Sequence, residues 1–249
     1  MVYENLIVER DGKVVWISLN RPQVLNALTP ELFVELRDVL AEVDEDADVG
    51  VVVITGAGRA FSAGVDLKSV QARAQGGPDL TVEARAALAA IEELDKPVIA
   101  MVNGHCLTGG LELALACDMI VASESAVFGD THARWGLRPV WGGSWRLPRQ
   151  VGIMKAKELS FTAQMIPAAE AERIGLVNKV VPIDELKQTV ADLAQKLLAN
   201  SAGSIGAIKR LMNRGLSLDL AGSMRLEIEM PHQVKDQGDR LQTFGKRTD

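Results

Sequence analysis

Residues 98–118 carry the feature that most constrains how this chain can fold. The apolar run Val98-Ile99-Ala100-Met101-Val102 reads as a strand. It breaks at Asn103-Gly104, passes the pair Gly109-Gly110 and enters a short apolar helix, Leu111-Glu112-Leu113-Ala114-Leu115-Ala116. Glycines at a helix entrance let the backbone come close to a ligand, and the N–H groups of the first turn have no acceptor within the helix. Together with the positive end of the helix dipole, those donors favour a developing negative charge. Glu112 follows at once, a carboxylate among apolar residues. The stretch therefore predicts an oxyanion site with an acid/base group beside it.

The rest of the chain supplies an α/β frame for that stretch. Residues 6–10 and 14–19 flank Asp11-Gly12, a hairpin signal. Thr29-Pro30 opens a helix, with Thr29 as N-cap and Pro30 at the first helical position. Leu32, Phe33, Leu36, Val39, Leu40 and Val43 recur at helical spacing and carry it to about Asp44. Val51-Val52-Val53-Ile54 is continuously apolar, as in a strand covered on both faces. Residues 80–94 read as a second amphipathic helix, and residues 119–122 and 126–128 as short strands. Residues 129–143 read as a loop, with Gly142-Gly143 before a helical stretch. Beyond Gly152, helices are expected over 155–162, 168–174, 184–199, 204–214 and 219–234, with one strand over 176–181. Strand–strand–helix units recur loosely through residue 150, and a mainly helical third follows.

Composition excludes several classes of function. A net charge of −6 over 249 residues argues against a nucleic-acid surface. No apolar run reaches the roughly 20 residues of a membrane span. Met1-Val2-Tyr3-Glu4 runs straight into a strand-like segment, so neither a leader nor a membrane partner is expected. Cys106 and Cys117 have no C-x-x-C spacing, and His105, His132 and His232 are scattered. No metal site is expected, and reduced thiols fit a cytoplasmic protein. Gly56-Ala57-Gly58 lacks the third glycine of a dinucleotide fingerprint, because Phe61 stands in its place.

Several motifs in this order carry a family resemblance. They are Leu19-Asn20-Arg21-Pro22 with Leu25-Asn26-Ala27-Leu28, Val53-Ile54-Thr55-Gly56, and Ala60-Phe61-Ser62-Ala63-Gly64-Val65-Asp66-Leu67. Lys96-Pro97-Val98-Ile99-Ala100, the opening stretch through Cys117-Asp118, Phe128-Gly129, Gly142-Gly143, and Ala171 with Gly175-Leu176-Val177 complete the set. The chain resembles the crotonase superfamily, the enoyl-CoA hydratase/isomerase family, over nearly its whole length. The resemblance implies an α/β spiral of ββα units over residues 1–190. A helical C-terminal region, residues 191–249, would build a homotrimer or a hexamer and contact coenzyme A. It implies an acyl-CoA thioester as substrate and no cofactor beyond the coenzyme A that the substrate carries. By motif position, the N–H groups of Val65 and Gly109 receive the thioester oxygen. Ala63, Asp66, Leu67 and Lys68 line the CoA and acyl path, and Lys246 in Phe244-Gly245-Lys246-Arg247 approaches CoA.

The chemistry independently favours such an arrangement. Adding water across an enoyl thioester drives negative charge onto the thioester oxygen, and each preorganised donor there is worth about 10²–10³ in rate. Glu112 then orients water or moves a proton. The alternative for Glu112 is a first-turn carboxylate in solvent, stabilised by the helix dipole. His132 is a departure, since the family's hydratases place a second glutamate in the corresponding Phe-Gly-x-x-Glu position. An imidazole can serve as base or acid there, or only hydrogen-bond its surroundings. Asp130 either orients His132 or itself replaces the missing carboxylate, sharing a face with His132 if the segment is extended, or it caps a turn. Trp135 and Trp141 can wall an acyl pocket or simply pack. Asp66 is expected to order its loop, and His105 to be structural.

The leading expectation is hydration of a trans-2-enoyl-CoA to a 3-hydroxyacyl-CoA, with Glu112 and His132 handling protons. The rivals are double-bond isomerisation, hydrolysis of an acyl or β-dicarbonyl compound, and an acyl-CoA binder in which His132 marks lost chemistry.

Overall fold

The computed structural model describes residues 3–66, 79–231 and 234–244. Its framework is two sheets wound together. Strands β1 (Leu6–Asp11) and β2 (Val14–Leu19) form the expected hairpin, with Gly12 at φ +57° in the turn. β3 (Val51–Gly56), β5 (Val98–Val102), β7 (Met119–Ser123) and β10 (Lys179–Val181) extend it in parallel, in the order β1-β2-β3-β5-β7-β10. A smaller sheet runs β4-β6-β8-β9, from β4 (Ala60–Ser62), β6 (His105–Leu107), β8 (Val127–Gly129) and β9 (Ile166–Pro167). Each of the pairs β3/β4, β5/β6 and β7/β8 sends one strand to each sheet. This is the spiral, and helices α2 (Leu80–Glu93) and α3 (Gly109–Ala116) close its first two turns.

Alternation along the central strands explains why they are apolar throughout. Val52 and Ile54 join the main core with Val98, Ala100 and Val102, while Val51 and Val53 join a second cluster with Ile99. The main core is covered by α1 (Pro30–Glu45), whose Thr29 side chain accepts the Leu32 N–H as N-cap. The second cluster is covered by α7 (Ile183–Leu198) through Leu186, Val190 and Ala194. Asn26, fully buried, ties the turn between β3 and β4 to the chain before α1. Its Nδ2 donates to Ala57 O and Ala60 O, and its Oδ1 accepts the Arg21 N–H.

Several expected boundaries move for physical reasons. Residues 190 and 191 are consecutive within α7, whose buried face belongs to the sheet, so a division of the chain at residue 190 would cut a core helix. The next helix, α8 (Ala202–Gly215), is also tied to the core: buried Lys209 donates to Ile91 O, Lys96 O and Asp118 Oδ2. α9 is Leu220–Glu229, shorter than the expected 219–234. Pro231 follows Met230, which is extended at φ −67°, ψ 116°, and a residue before proline is disfavoured in the helical region. The strand expected over 176–181 is confined to β10, because Leu176 and Val177 close the turn after α6 (Ala168–Arg173). Strands β4 and β6, three residues each, are too short for periodicity to reveal.

Candidate active site

Glu112 is set by the way α3 begins. Thr108 stands before it at φ +53°, ψ −113°, a conformation that side chains resist, and its hydroxyl is 2.5 Å from that of Thr131. A Cβ at Gly109 would lie 2.4 Å from a ring carbon of Trp141, and one at Gly110 would lie 2.6 Å from Ser62 O. Only glycine lets the first turn press between those two neighbours. One turn further in, Glu112 is 3% exposed. Its Oε1 accepts the N–H of Trp141 at 2.9 Å and that of Gly143 at 2.8 Å, and its Oε2 lies 3.6 Å from His132 Nε2. The first-turn carboxylate in solvent is therefore ruled out. Burial pushes the Glu112 carboxyl up, against the opposing pull of the Gly143 N–H, His132 and the Trp141 N–H.

His132 is also buried, and it begins a 3-10 turn, His132–Trp135. Asp130 Oδ1 is 2.5 Å from His132 Nδ1 and also accepts the His132 backbone N–H at 3.3 Å. The segment is not extended past Thr131, so the two side chains meet because the chain turns. Asp130 both caps that turn and holds the ring. Its second oxygen, Oδ2, accepts the hydroxyl of Ser160 at 2.6 Å, from α5 (Ile153–Thr162). Burial alone would raise the Asp130 carboxyl, but hydrogen bonds from His132 and Ser160 hold it below the usual carboxylate range.

Val65 and Gly109 approach this pair from a second direction. Leu28 N–H donates to Gly64 O at 2.8 Å and Asp66 N–H donates to Leu28 O at 3.0 Å. Gly64 O and the Val65 N–H belong to one trans peptide and point to opposite sides of it, so the N–H of Val65 is directed away from Leu28. Gly64 has φ +102°, and a Cβ there would stand 3.1 Å from Leu107 O and 3.4 Å from Gly109 N. That close approach seats the Ala63-Gly64-Val65 turn against the entrance of α3, where Gly109 is the first residue and its N–H has no intrahelical acceptor.

A cavity of about 690 Å³ brings Val65 together with the Glu112–His132 pair; its wall includes Ala63, Val65, Thr108, Glu112, His132 and Trp141, while Gly109 lies next to Thr108 and is not itself on that wall. That volume is typical of small-molecule sites. Trp135 is largely exposed at its edge, whereas Trp141 is buried against Phe33 in an edge-to-face contact with ring centroids 5.2 Å apart. Asp66 pairs with Arg21 at 3.0 Å, which fastens the loop beside Val65. His105 is an exposed strand residue. Leu67, Lys68 and Lys246 lie outside the described residues. Cys106 and Cys117 are unpaired, and burial raises both thiols. Among the described residues, no group of three potential ligands could hold a metal, and no helix is long and apolar enough to cross a membrane.

Three contributors escaped the sequence reading. The N–H groups of Trp141 and Gly143 that hold Glu112 had a faint signal in the Gly142-Gly143 pair. Ser160 had none, since it lies on a helix remote in sequence.

The same architecture occurs in proteins of known kind. A family model described as enoyl-CoA hydratase/isomerase matches residues 9–245. The probable peroxisomal enoyl-CoA hydratase 1 of Arabidopsis thaliana is 39% identical, across 98% of this chain and 94% of its own. The short-chain-enoyl-CoA hydratase of Clostridium acetobutylicum is 39% identical, across 98% and 95%. The crystal structure of an enoyl-CoA hydratase from Bacillus anthracis is similar at a TM-score of 0.89 and 37% identity, covering 98% of this chain and 96% of that one.

Proposed function

The chain belongs to the enoyl-CoA hydratase/isomerase family, and from that premise we propose that it adds water to trans-2-enoyl-CoA thioesters to give 3-hydroxyacyl-CoAs. The observation that carries the reading is the buried Glu112–His132 pair, 3.6 Å apart, on the wall of a cavity that Val65 also lines. In this scheme the Val65 and Gly109 N–H groups take the thioester oxygen. Glu112 removes a proton from water as the C3–O bond forms, and the π pair of C2=C3 moves toward the thioester, whose oxygen takes up the negative charge. His132 then delivers a proton from Nε2 to C2. Ala63 and Asp66 flank the CoA path, and coenzyme A enters only as part of the substrate. Exposed apolar residues on α8 and α9 support assembly into a trimer or a pair of trimers.

The test is the loss of enoyl-thioester absorbance with crotonyl-CoA and longer enoyl-CoAs. Glu112→Gln keeps an acceptor for the Trp141 and Gly143 N–H groups but cannot take a proton, and is expected to lower kcat about 10²–10⁴-fold. Migration of the double bond without net hydration would replace the proposal with isomerisation. Tight acyl-CoA binding without turnover at any chain length would reduce the protein to a binder.

A further inference from the structure

A glutamate and a histidine that each move one proton must be reset before the next turnover, and the surroundings of His132 provide a route. Its two ring nitrogens face two different carboxylates: Asp130 Oδ1 at 2.5 Å from Nδ1 and Glu112 Oε2 at 3.6 Å from Nε2. The carboxylates themselves are differently held. Glu112 Oε1 is fastened by two backbone N–H groups, which leaves Oε2 for chemistry. Both Asp130 oxygens are committed, Oδ1 to His132 and Oδ2 to Ser160. A carboxylate so occupied is suited to hold a ring in place, and poorly suited to take protons from a substrate.

We propose that Asp130, braced by Ser160, is a positioning residue that keeps His132 protonated at Nδ1 with Nε2 turned toward Glu112, so that the spent pair resets by direct proton return. This rests on the hydratase reading above. After hydration, Glu112 carries the proton taken from water and His132 has given its Nε2 proton to C2. Transfer of the Glu112 proton from Oε2 to Nε2 restores the carboxylate and the doubly protonated ring. The sum is one water added across C2=C3, with no change in either residue. A shift of about half an ångström closes the 3.6 Å gap to hydrogen-bond length.

Among the described residues, the cations around this segment are engaged elsewhere or stand on the cavity wall: Arg134, on the same 3-10 turn, donates to Ala163 O, Lys155 on α5 pairs with Glu158, and Arg138 lines the cavity. Glu112 is the acidic group that α3 contributes, and Asp130 is the one on the segment of His132 itself. Imidazole orientation therefore depends on Asp130 on one side and Glu112 on the other.

The experiment compares Asp130→Asn, Asp130→Glu and Ser160→Ala with the parent for crotonyl-CoA hydration. A separate ¹⁵N–¹H spectrum of the imidazoles is practical because the chain has only three histidines. Asp130→Asn is expected to lower kcat about 10²–10³-fold, with KM changed less than about threefold. Asp130→Glu should restore part of the lost kcat, and Ser160→Ala should lower it the same way but less. In the spectrum of the neutral ring, taken at high pH, parent His132 should carry its single proton at Nδ1 and Asp130→Asn should lose that preference. A fall in kcat with an unchanged tautomer would overturn the inference, as would Asp130→Glu behaving no better than Asp130→Asn. A parent that hydrates no enoyl thioester would instead defeat the hydratase reading. The tautomer measurement would then still decide what Asp130 does to the ring.

Discussion

Glu112 places a carboxylate where a folded chain would rather have a neutral group. It is 3% exposed, and burial is the largest influence on its carboxyl, ahead of the Gly143 N–H, His132 and the Trp141 N–H, which pull the other way. Because its folded pKa is raised, the unfolded chain releases the proton first as pH rises, so this residue costs stability above its unfolded value of about 4.3. Glu112→Gln removes that cost and keeps an acceptor for the two N–H groups. The variant should lose most of its activity yet melt higher at neutral pH, by about 2–4 °C for each kcal/mol relieved. The difference should vanish near pH 4, where the parent carboxyl is protonated in both states. Calorimetry of the two proteins at pH 4 and pH 7 checks this, and a lower Tm for the variant at pH 7 would contradict it.

At the scale of elements, α3 acts as the hinge between site and scaffold. Its first turn is fitted between Ser62 and Trp141 by glycine, and Asp118, just beyond its last turn, is the anchor for α8. Asp118 Oδ2 accepts from both Val98 N and Lys209 Nζ, so buried Lys209 and the partly solvated carboxylate of Asp118 tie α8 to β5 and to the end of α2. Removing the lysine takes a donor from two backbone carbonyls as well as from Asp118. Lys209→Ala should cost about 1–3 kcal/mol, measured by denaturant unfolding, although Lys209 is remote from Glu112 in sequence. A loss below about 1 kcal/mol would show that water reaches Asp118 and replaces the ammonium. Helix α3 itself was legible from the apolar run and the glycine pair. The pairing of Asp118 with Lys209 was not, because nothing in local composition marks which lysine of an amphipathic helix turns inward.

The whole molecule presents more apolar surface than its own core can absorb. Leu220 and Ile228 on α9 are 79% and 83% exposed, and Met212 and Leu216 are exposed at the end of α8. Patches of this kind mark association sites in soluble proteins. Under the proposed assembly, light scattering should give three or six times the chain mass of 26.8 kDa. Leu220→Glu combined with Ile228→Glu should shift the protein toward monomer and lower its melting temperature. A parent that is monomeric at micromolar concentration would remove the assembly from the proposal.

What the sequence determined on its own was local and periodic. The continuous run Val51-Val52-Val53-Ile54 required cover on both faces and received it from two core clusters. Thr29-Pro30 started α1, and Gly109-Gly110 before Glu112 marked a helix entrance at which backbone approaches closely. The tertiary structure alone decided what Glu112, Asp130 and His132 are to one another. Whether Glu112 faced solvent or interior depended on Trp141 and Gly143 arriving with their N–H groups from another segment. Whether Asp130 capped a turn or held a ring depended on the chain bending after Thr131, and on Ser160 reaching across from a distant helix. Periodicity records which side of an element is buried. It carries no record of which polar atoms from remote segments will meet there, and the chemistry of this site is made of those meetings.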